Sequence, residues 1–419
     1  MSQWNRTMGR AISKTVWKVG LTAGVLLVAV VAVWMWRFAV VERVLTLLRQ
    51  DTQIQNFRRM HEVFPSRIIP RSAAPLHFER NVEDLDVTYQ YRGKVSRLDE
   101  FLRRTTTLGL LVLKDDRIVY ERYFFGATED SHFTSWSVAK SFVSALVGIA
   151  IDERLIAGVD QPITRYVPEL EHSGYKQASI KDVLQMSSGV DFNEDYDNAL
   201  SDISRMYLMS FLFGSRINAY PAAVGSKRAP GEAFDYVSVN TQALGMLLSH
   251  ATGKSLATYI EEKLWSPLGM EGDAYWITDR TGADATEYAF CCLNVSLRDY
   301  AKFGRLFLRG GDWNGTQIVS QSWVRRSVVP DKAYLRLTGA DRPEWAGPDW
   351  DIGYQYQWWV PAGDDGEFAG IGVWGQYLYV NPRAHVVIVK ASVDPDFDRD
   401  METIAAFRAI TAGLEARRR

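Results

Sequence analysis

Ser137-Val138-Ala139-Lys140 places a hydroxyl and an amine one helical turn apart. Residues at i and i+3 are neighbours on one helix face, so a proton can pass between the two side chains. A serine in the first turn of a helix also lies near the positive end of the macrodipole and near backbone N–H groups that lack intrahelical partners. Both favour negative charge on its oxygen. Lysine ordinarily titrates at about 10.4, so Lys140 can take a proton at neutral pH only if burial or neighbouring cations lower that value. Phe133, Trp136, Val138 and Phe142 supply apolar surroundings that could do so. The same spacing recurs at Ser173-Gly174-Tyr175-Lys176, in a polar segment and not ahead of a periodic apolar run, and is read as accidental.

Two further segments could complete a site. Residues 230–240 (PGEAFDYVSVN) put Tyr236 and Ser238 in a turn that leads into a helix-like run, and residues 368–376 carry Gly370-Ile371-Gly372 in a strand-like stretch. The order S-x-x-K, then Y-x-[NS] about a hundred residues on, then a glycine-rich strand resembles the penicillin-recognising serine hydrolases. Within them it is similar to the class C β-lactamase-related branch, which includes esterases, D-amino-acid peptidases and nylon-oligomer (6-aminohexanoate-dimer) hydrolases. The resemblance spans about residues 108–393 and is supported by Met186-Ser187-Ser188-Gly189, Pro267-Leu268-Gly269-Met270 and residues 297–304 (LRDYAKFG).

That resemblance implies that Ser137 is acylated, that Lys140 is its proton partner, and that Tyr236 exchanges protons with the serine and then with the leaving group. It implies an oxyanion hole formed by the N–H groups of Ser137 and Val373, and substrate contacts from Tyr196, Ser238, Gly372 and Trp374. Ser238 stands where many relatives carry Asn; Asn240 is offset by two residues and does not inherit that part. Gly370-Ile371-Gly372 replaces the Lys-Thr-Gly or His-Thr-Gly of lactam-recognising relatives. Without a cation to engage a substrate carboxylate, amide or ester hydrolysis is expected over β-lactam or D-Ala-D-Ala chemistry. Neither a metal nor a cofactor is implied. Each position also has a structural reading: glycines accommodating a bulge, or a tyrosine at a helix start.

These groups need elements to hold them. Residues 109–113 (GLLVL), the turn Lys114-Asp115-Asp116 and residues 117–125 (RIVYERYFF) read as a β-hairpin. Apolar residues recur at helical spacing from Ser137 to Ile151, and the stretch up to about Pro330 is mainly helical in pattern. Strand signals return at residues 375–380 and 385–390, joined by Asn381-Pro382, before an amphipathic helix over 401–417. Trp345, Trp350, Tyr354, Tyr356, Trp358 and Trp359 form a dense aromatic patch that either lines an acyl pocket or fills core. The expected fold is α/β and β-lactamase/transpeptidase-like: an antiparallel sheet flanked by helices, an inserted all-helical domain, and an N-terminal transmembrane helix. Residues 1–40 would be cytoplasmic tail and anchor, 41–98 a stalk or linker, 99–150 with 331–419 the α/β domain, and 151–330 the helical domain.

The anchor is expected from residues 19–36 (VGLTAGVLLVAVVAVWMW), an uncharged run close to the roughly twenty residues that span a bilayer. Arg6, Arg10, Lys14 and Lys18 precede it without an acid, which orients the N-terminus to the cytoplasm. The expectation is a single-pass inner (cytoplasmic) membrane protein with its catalytic domain on the periplasmic side. A net charge of −2 and the lack of a basic stripe argue against nucleic acid as a partner. The expected partners are a small-molecule amide or ester and the lipid bilayer. Cys291 and Cys292, adjacent in sequence, are read as free, buried small hydrophobes. No G-x-S-x-G elbow and no H-E-x-x-H spacing occurs, which disfavours α/β-hydrolase and zinc-hydrolase readings. The alternative from another class is a catalytically silent, membrane-tethered binding or scaffold protein on the same fold.

Overall fold

All eight residues of the strand Thr107–Lys114 (TLGLLVLK) are buried, which is possible only for a strand covered on both faces. Its partners obey the two-residue alternation of a pleated sheet. Leu378, Val380, Val387 and Val389 join one apolar cluster, while Tyr377, Tyr379, Val386 and Ile388 join the other. In the computed structural model, which describes residues 49–343, 346–394, 396 and 399–417 together with 21–22, 24–28, 30–31, 34–35, 42 and 46–47, this strand belongs to an eight-stranded sheet. Across the sheet the strands run Ile352–Gln355, Trp358–Pro361, Phe368–Gly372, Gln376–Asn381, Val386–Ser392, Thr107–Lys114, Arg117–Tyr123 and Glu79–Arg80. Every pairing is antiparallel except that of Glu79–Arg80 with Arg117–Ile118.

Helices cover both faces. Ala139–Asp152 and Leu297–Leu308 contribute Phe142, Leu146, Phe303 and Phe307 to the first cluster, with Phe142 and Phe303 stacked at 3.7 Å between ring centres. The C-terminal helix Asp400–Ala416 brings Ile404, Phe407 and Ile410 to the second. A mainly antiparallel sheet with helices on both faces is the α/β layering expected. The predicted hairpin turns at Asp115 and Asp116, both with positive φ as a tight hairpin turn demands.

Two expectations about the chain between these elements need correction. The stretch read as helical does hold the helices Asp202–Phe213 and Ser238–Thr252, but it also holds the strands Ala274–Ile277 and Leu293–Val295. These lie in a four-stranded sheet between Ser66–Ile69 and Phe133–Thr134. Three-residue and four-residue strands have no legible period, and their pairing partners are distant in sequence. The same sheet shows that the segment expected as a stalk is woven into the body, since it supplies Ser66–Ile69 and the buried Phe57, Met60 and Phe64.

Cys291 and Cys292 are bridged to each other and buried, not free as expected. Of the expected span over 19–36, residues 19, 20, 23, 29, 32, 33 and 36 lie outside the described residues, as does Trp345. Among the described residues no helix is long and apolar enough to cross a membrane.

Candidate active site

The strand Phe133–Thr134 feeds directly into a 3-10 turn, Trp136–Val138, and then into the helix Ala139–Asp152. Backbone bonds tie that turn to the smaller sheet: Ser135 N donates to Leu293 O at 2.8 Å, and Leu293 N donates to Ser135 Oγ at 3.0 Å. The first backbone bond of the turn is Val138 N to Ser135 O, 3.1 Å. The Ser137 N–H therefore precedes it, among the donors that a helix start leaves for a ligand.

Lys140, 1% exposed, donates to Ser137 Oγ at 2.9 Å, Ser238 Oγ at 3.1 Å and the Phe290 carbonyl at 3.1 Å. Burial lowers its pKa to about 7, with Glu194 pulling the other way. The Tyr236 phenol lies beside the Ser137 hydroxyl, its ring centre is 5.1 Å from the Lys140 amine, and burial holds the phenol well above its ordinary pKa. Behind it, Tyr236 stacks on Trp359 at 5.4 Å and meets Tyr354 edge-on at 6.0 Å. Serine, amine and phenol, distant along the chain, thus meet at one point.

The strand Phe368–Gly372 runs beside the serine turn. A Cβ on Gly372 would sit 2.7 Å from Ser135 O and 3.0 Å from Ser137 N, so only glycine permits this approach. Val373 follows directly after this close approach. The Gln376 amide donates to the carbonyls of Val373 (3.4 Å), Trp374 (3.1 Å) and Ser392 (2.7 Å), which holds the hairpin in shape. Trp374, with φ of 59°, packs on Trp136 at 4.6 Å and on Phe57 at 5.4 Å. Trp136 meets Tyr207, which meets Phe290, so the wall beside the serine is aromatic and uncharged.

The other predicted positions divide. Ser238 is fully buried, with its hydroxyl between the Lys140 amine and the Glu194 carboxylate. The Tyr196 hydroxyl donates to Glu194 Oε1 at 2.8 Å. Asn240 is locked by Tyr175 and Ser188, whose hydroxyls donate to its amide oxygen at 2.8 and 2.7 Å, consistent with its exclusion from the site. Ser173 of the second S-x-x-K match donates to Leu170 O at 2.8 Å, away from this cluster. Of the aromatic patch, Trp350, Tyr354, Tyr356, Trp358 and Trp359 are all buried, so they fill core and back the site through Tyr236.

Glu194, Phe290 and Phe57 escaped the sequence reading. Glu194 stands two residues before Tyr196 in an acidic stretch whose charges gave no reason to choose among them. Phe290 contributes a carbonyl, which any residue could supply. Among the described residues, no group of three or more His, Cys, Asp or Glu is placed to hold a metal ion.

Comparison with known proteins agrees with this geometry. The profile of the family described as β-lactamase matches residues 95–412. A 6-aminohexanoate-dimer hydrolase of Paenarthrobacter ureafaciens is 32% identical over 349 residues, 82% of this chain and 86% of that protein. A solved structure from Bacillus anthracis, provisionally named a 6-aminohexanoate-dimer hydrolase, superposes with a TM-score of 0.77 at 27% identity, covering 88% of this chain and 96% of that one. A family VIII carboxylesterase, at 19% identity and a TM-score of 0.55 over 73% of this chain and 92% of its own, shares the fold.

Proposed function

The chain belongs to the β-lactamase family and is a serine hydrolase of that fold; on that premise we propose that it cleaves amide or ester bonds through an acyl-enzyme on Ser137 while tethered to a membrane by residues 19–36. The observation that carries the chemistry is the 2.9 Å contact between the buried Lys140 amine and Ser137 Oγ. An amine brought to about 7 is in part neutral at physiological pH and can act as a base, which an ordinary lysine cannot.

The Ser137 proton passes to Lys140 as Oγ bonds to the substrate carbonyl carbon. The carbonyl oxygen, now negative, is held by the N–H groups of Ser137 and Val373, fixed donors of a kind worth roughly 3 to 4 kcal/mol each. When the intermediate collapses, the bond to the leaving nitrogen or oxygen breaks. Tyr236 gives that atom its proton and is reprotonated from the Lys140 ammonium. Water then repeats the sequence on the acyl-serine and releases the acid.

The substrate is neutral around the scissile bond, because Gly370-Ile371-Gly372 offers no cation and the wall of Trp136, Tyr207, Phe290 and Trp374 offers only aromatic surface. Trp374 and Tyr196 contact it. The relative named a 6-aminohexanoate-dimer hydrolase supports an amide of this kind.

The tether rests on composition and exposure. Val25, Leu26, Leu27 and Val28 are each more than 60% exposed, and such apolar density is stable only against lipid or another apolar surface. With Arg6, Arg10, Lys14 and Lys18 ahead of the span, the body lies on the periplasmic side of the inner membrane.

One experiment tests the chemistry: membrane fractions are treated with a fluorophosphonate probe. Labelling of the wild type that disappears in Ser137→Ala supports the acyl-enzyme. An unlabelled but folded wild type supports the silent scaffold.

A further inference from the structure

Glu194 is the one charged side chain among the described residues that acts on Lys140, and the reaction above leaves it without a part. Its Oε2 accepts from Ser238 N at 2.9 Å, and its Oε1 accepts from the hydroxyls of Ser238 and Tyr196. We propose that ionised Glu194 is a positioning residue for the reaction, aligning Lys140 through Ser238 and stabilising the ammonium that forms when Lys140 takes the Ser137 proton. This rests on the acyl-enzyme reading above.

The argument is one of donor direction. An ionised carboxylate only accepts, so the single Ser238 hydroxyl proton is committed to Glu194, and Ser238 Oγ can only accept from Lys140. The Phe290 carbonyl also only accepts. A neutral amine has two N–H bonds, and these two acceptors take both. Its lone pair is then left for Ser137, 2.9 Å away, with no other orientation satisfying all partners. After proton transfer the ammonium has three N–H bonds for three acceptors, and the Glu194 charge lies one hydroxyl beyond. No atom is gained or lost by the relay; Ser238 keeps its own proton throughout.

The groups facing this pair are few. Lys140 meets Ser137 from its own turn, Tyr236 and Ser238 from the start of Ser238–Thr252, and the Phe290 carbonyl and ring. Glu194 acts on Tyr175, Tyr196, Tyr207 and Tyr236, whose phenols are held neutral by burial. Burial holds the Glu194 carboxyl above its ordinary pKa, against the opposing pull of Lys140 and the Ser238 contacts.

The test is Glu194→Gln in the full-length, membrane-extracted protein, with kcat and KM for a p-nitrophenyl ester followed across pH. The amide keeps the shape but supplies a donor, so the Ser238 hydroxyl can turn toward the Lys140 lone pair and occupy it. The expected result is a fall of about tenfold in kcat, with the midpoint of the acid limb about one pH unit lower and KM little changed. A purely structural Glu194 would lower activity without moving that midpoint, and either that outcome or an unchanged enzyme overturns the proposal. If Glu194→Gln does not fold, Ser238→Ala is read instead. It removes the bridge and one acceptor of the ammonium but not the charge, so a smaller downward move of the midpoint is expected. Wild-type labelling at Ser137 tells the two readings apart: its absence sinks the acyl-enzyme itself, whereas labelling with an unmoved limb sinks only the part given to Glu194.

Discussion

Gly372→Ala is the sharpest probe of the oxyanion hole. The added Cβ would lie 2.7 Å from Ser135 O, 3.0 Å from Ser137 N and 3.1 Å from the Trp136 Cβ. None of these is the loose end of a flexible side chain, so the strand must move. Restoring the first contact from 2.7 Å to the ordinary 3.4 Å means a retreat of about 0.7 Å from the serine turn. Oxyanion donors act within roughly 2.7 to 3.1 Å of the charged oxygen, so a shift of that size carries the Val373 N–H out of range. Loss of one such donor costs about 100- to 1000-fold in kcat. KM should change little, because the ground-state carbonyl needs the hole far less than the intermediate does. Overpacking adds about 1–3 kcal/mol of destabilisation, which a thermal melt would register. Gly370→Ala is the control: its Cβ would sit 3.2 Å from Ser141 Oγ and from a Val138 methyl, on the same strand but clear of the hole. It should lose stability and keep kcat. Steady-state ester hydrolysis by both variants decides the matter. A folded Gly372→Ala with wild-type kcat would show that the donor pair is not where this geometry puts it.

Tyr236→Phe keeps the ring stacked on Trp359 but deletes the proton carrier, and kcat should fall about 100- to 10,000-fold while the melting temperature holds; near-normal turnover would remove Tyr236 from the mechanism. Lys140 works as a base only when unprotonated, and its pKa is depressed to about 7, so activity is full above that value and falls as pH drops through it. A pH–rate profile flat down to the carboxylate range would contradict this. Phe142→Ala empties a fully buried site stacked on Phe303 and should cost about 3–5 kcal/mol in urea unfolding.

The parts of the site legible in the sequence are those in which spacing or order encodes geometry. Ser137 and Lys140 share a helix face because they are three residues apart. The hairpin at Asp115 and Asp116 and the late strands follow from β-rich apolar runs bounded by turn residues, runs that stay apolar because helices cover both sheet faces. What stayed hidden depends on partners from elsewhere in the chain. Leu293–Val295 is too short to show a period and exists because Ala274–Ile277 and Phe133–Thr134 flank it. Ser238 stands two residues after Tyr236, and the helix start it occupies turns its hydroxyl onto Lys140 and Glu194, contacts that spacing alone does not show. Glu194 looks like one surface acid among several until the fold brings it to Ser238. Adjacent cysteines were judged poor partners for each other, and the chain nevertheless bridges them.

The buried Lys140 amine also explains why so much of the chain converges here. A buried lysine is tolerable only if each of its N–H bonds finds an acceptor, since an unsatisfied buried donor costs about 1–3 kcal/mol. Its three acceptors come from three separate regions: the serine turn, the start of Ser238–Thr252, and Phe290 just before Leu293–Val295. The third contact depends on neighbours that use up the competing donors. Trp276 Nε1 donates to Cys291 O at 3.1 Å, and Ile277 N and the Asn294 amide donate to Cys292 O at 3.1 and 2.9 Å, leaving the Phe290 carbonyl for the amine. The smaller sheet therefore acts on the chemistry. It holds the serine turn through Ser135 and Leu293, and it presents Phe290 to Lys140, so a shift in either strand would reach Ser137 and Lys140 together.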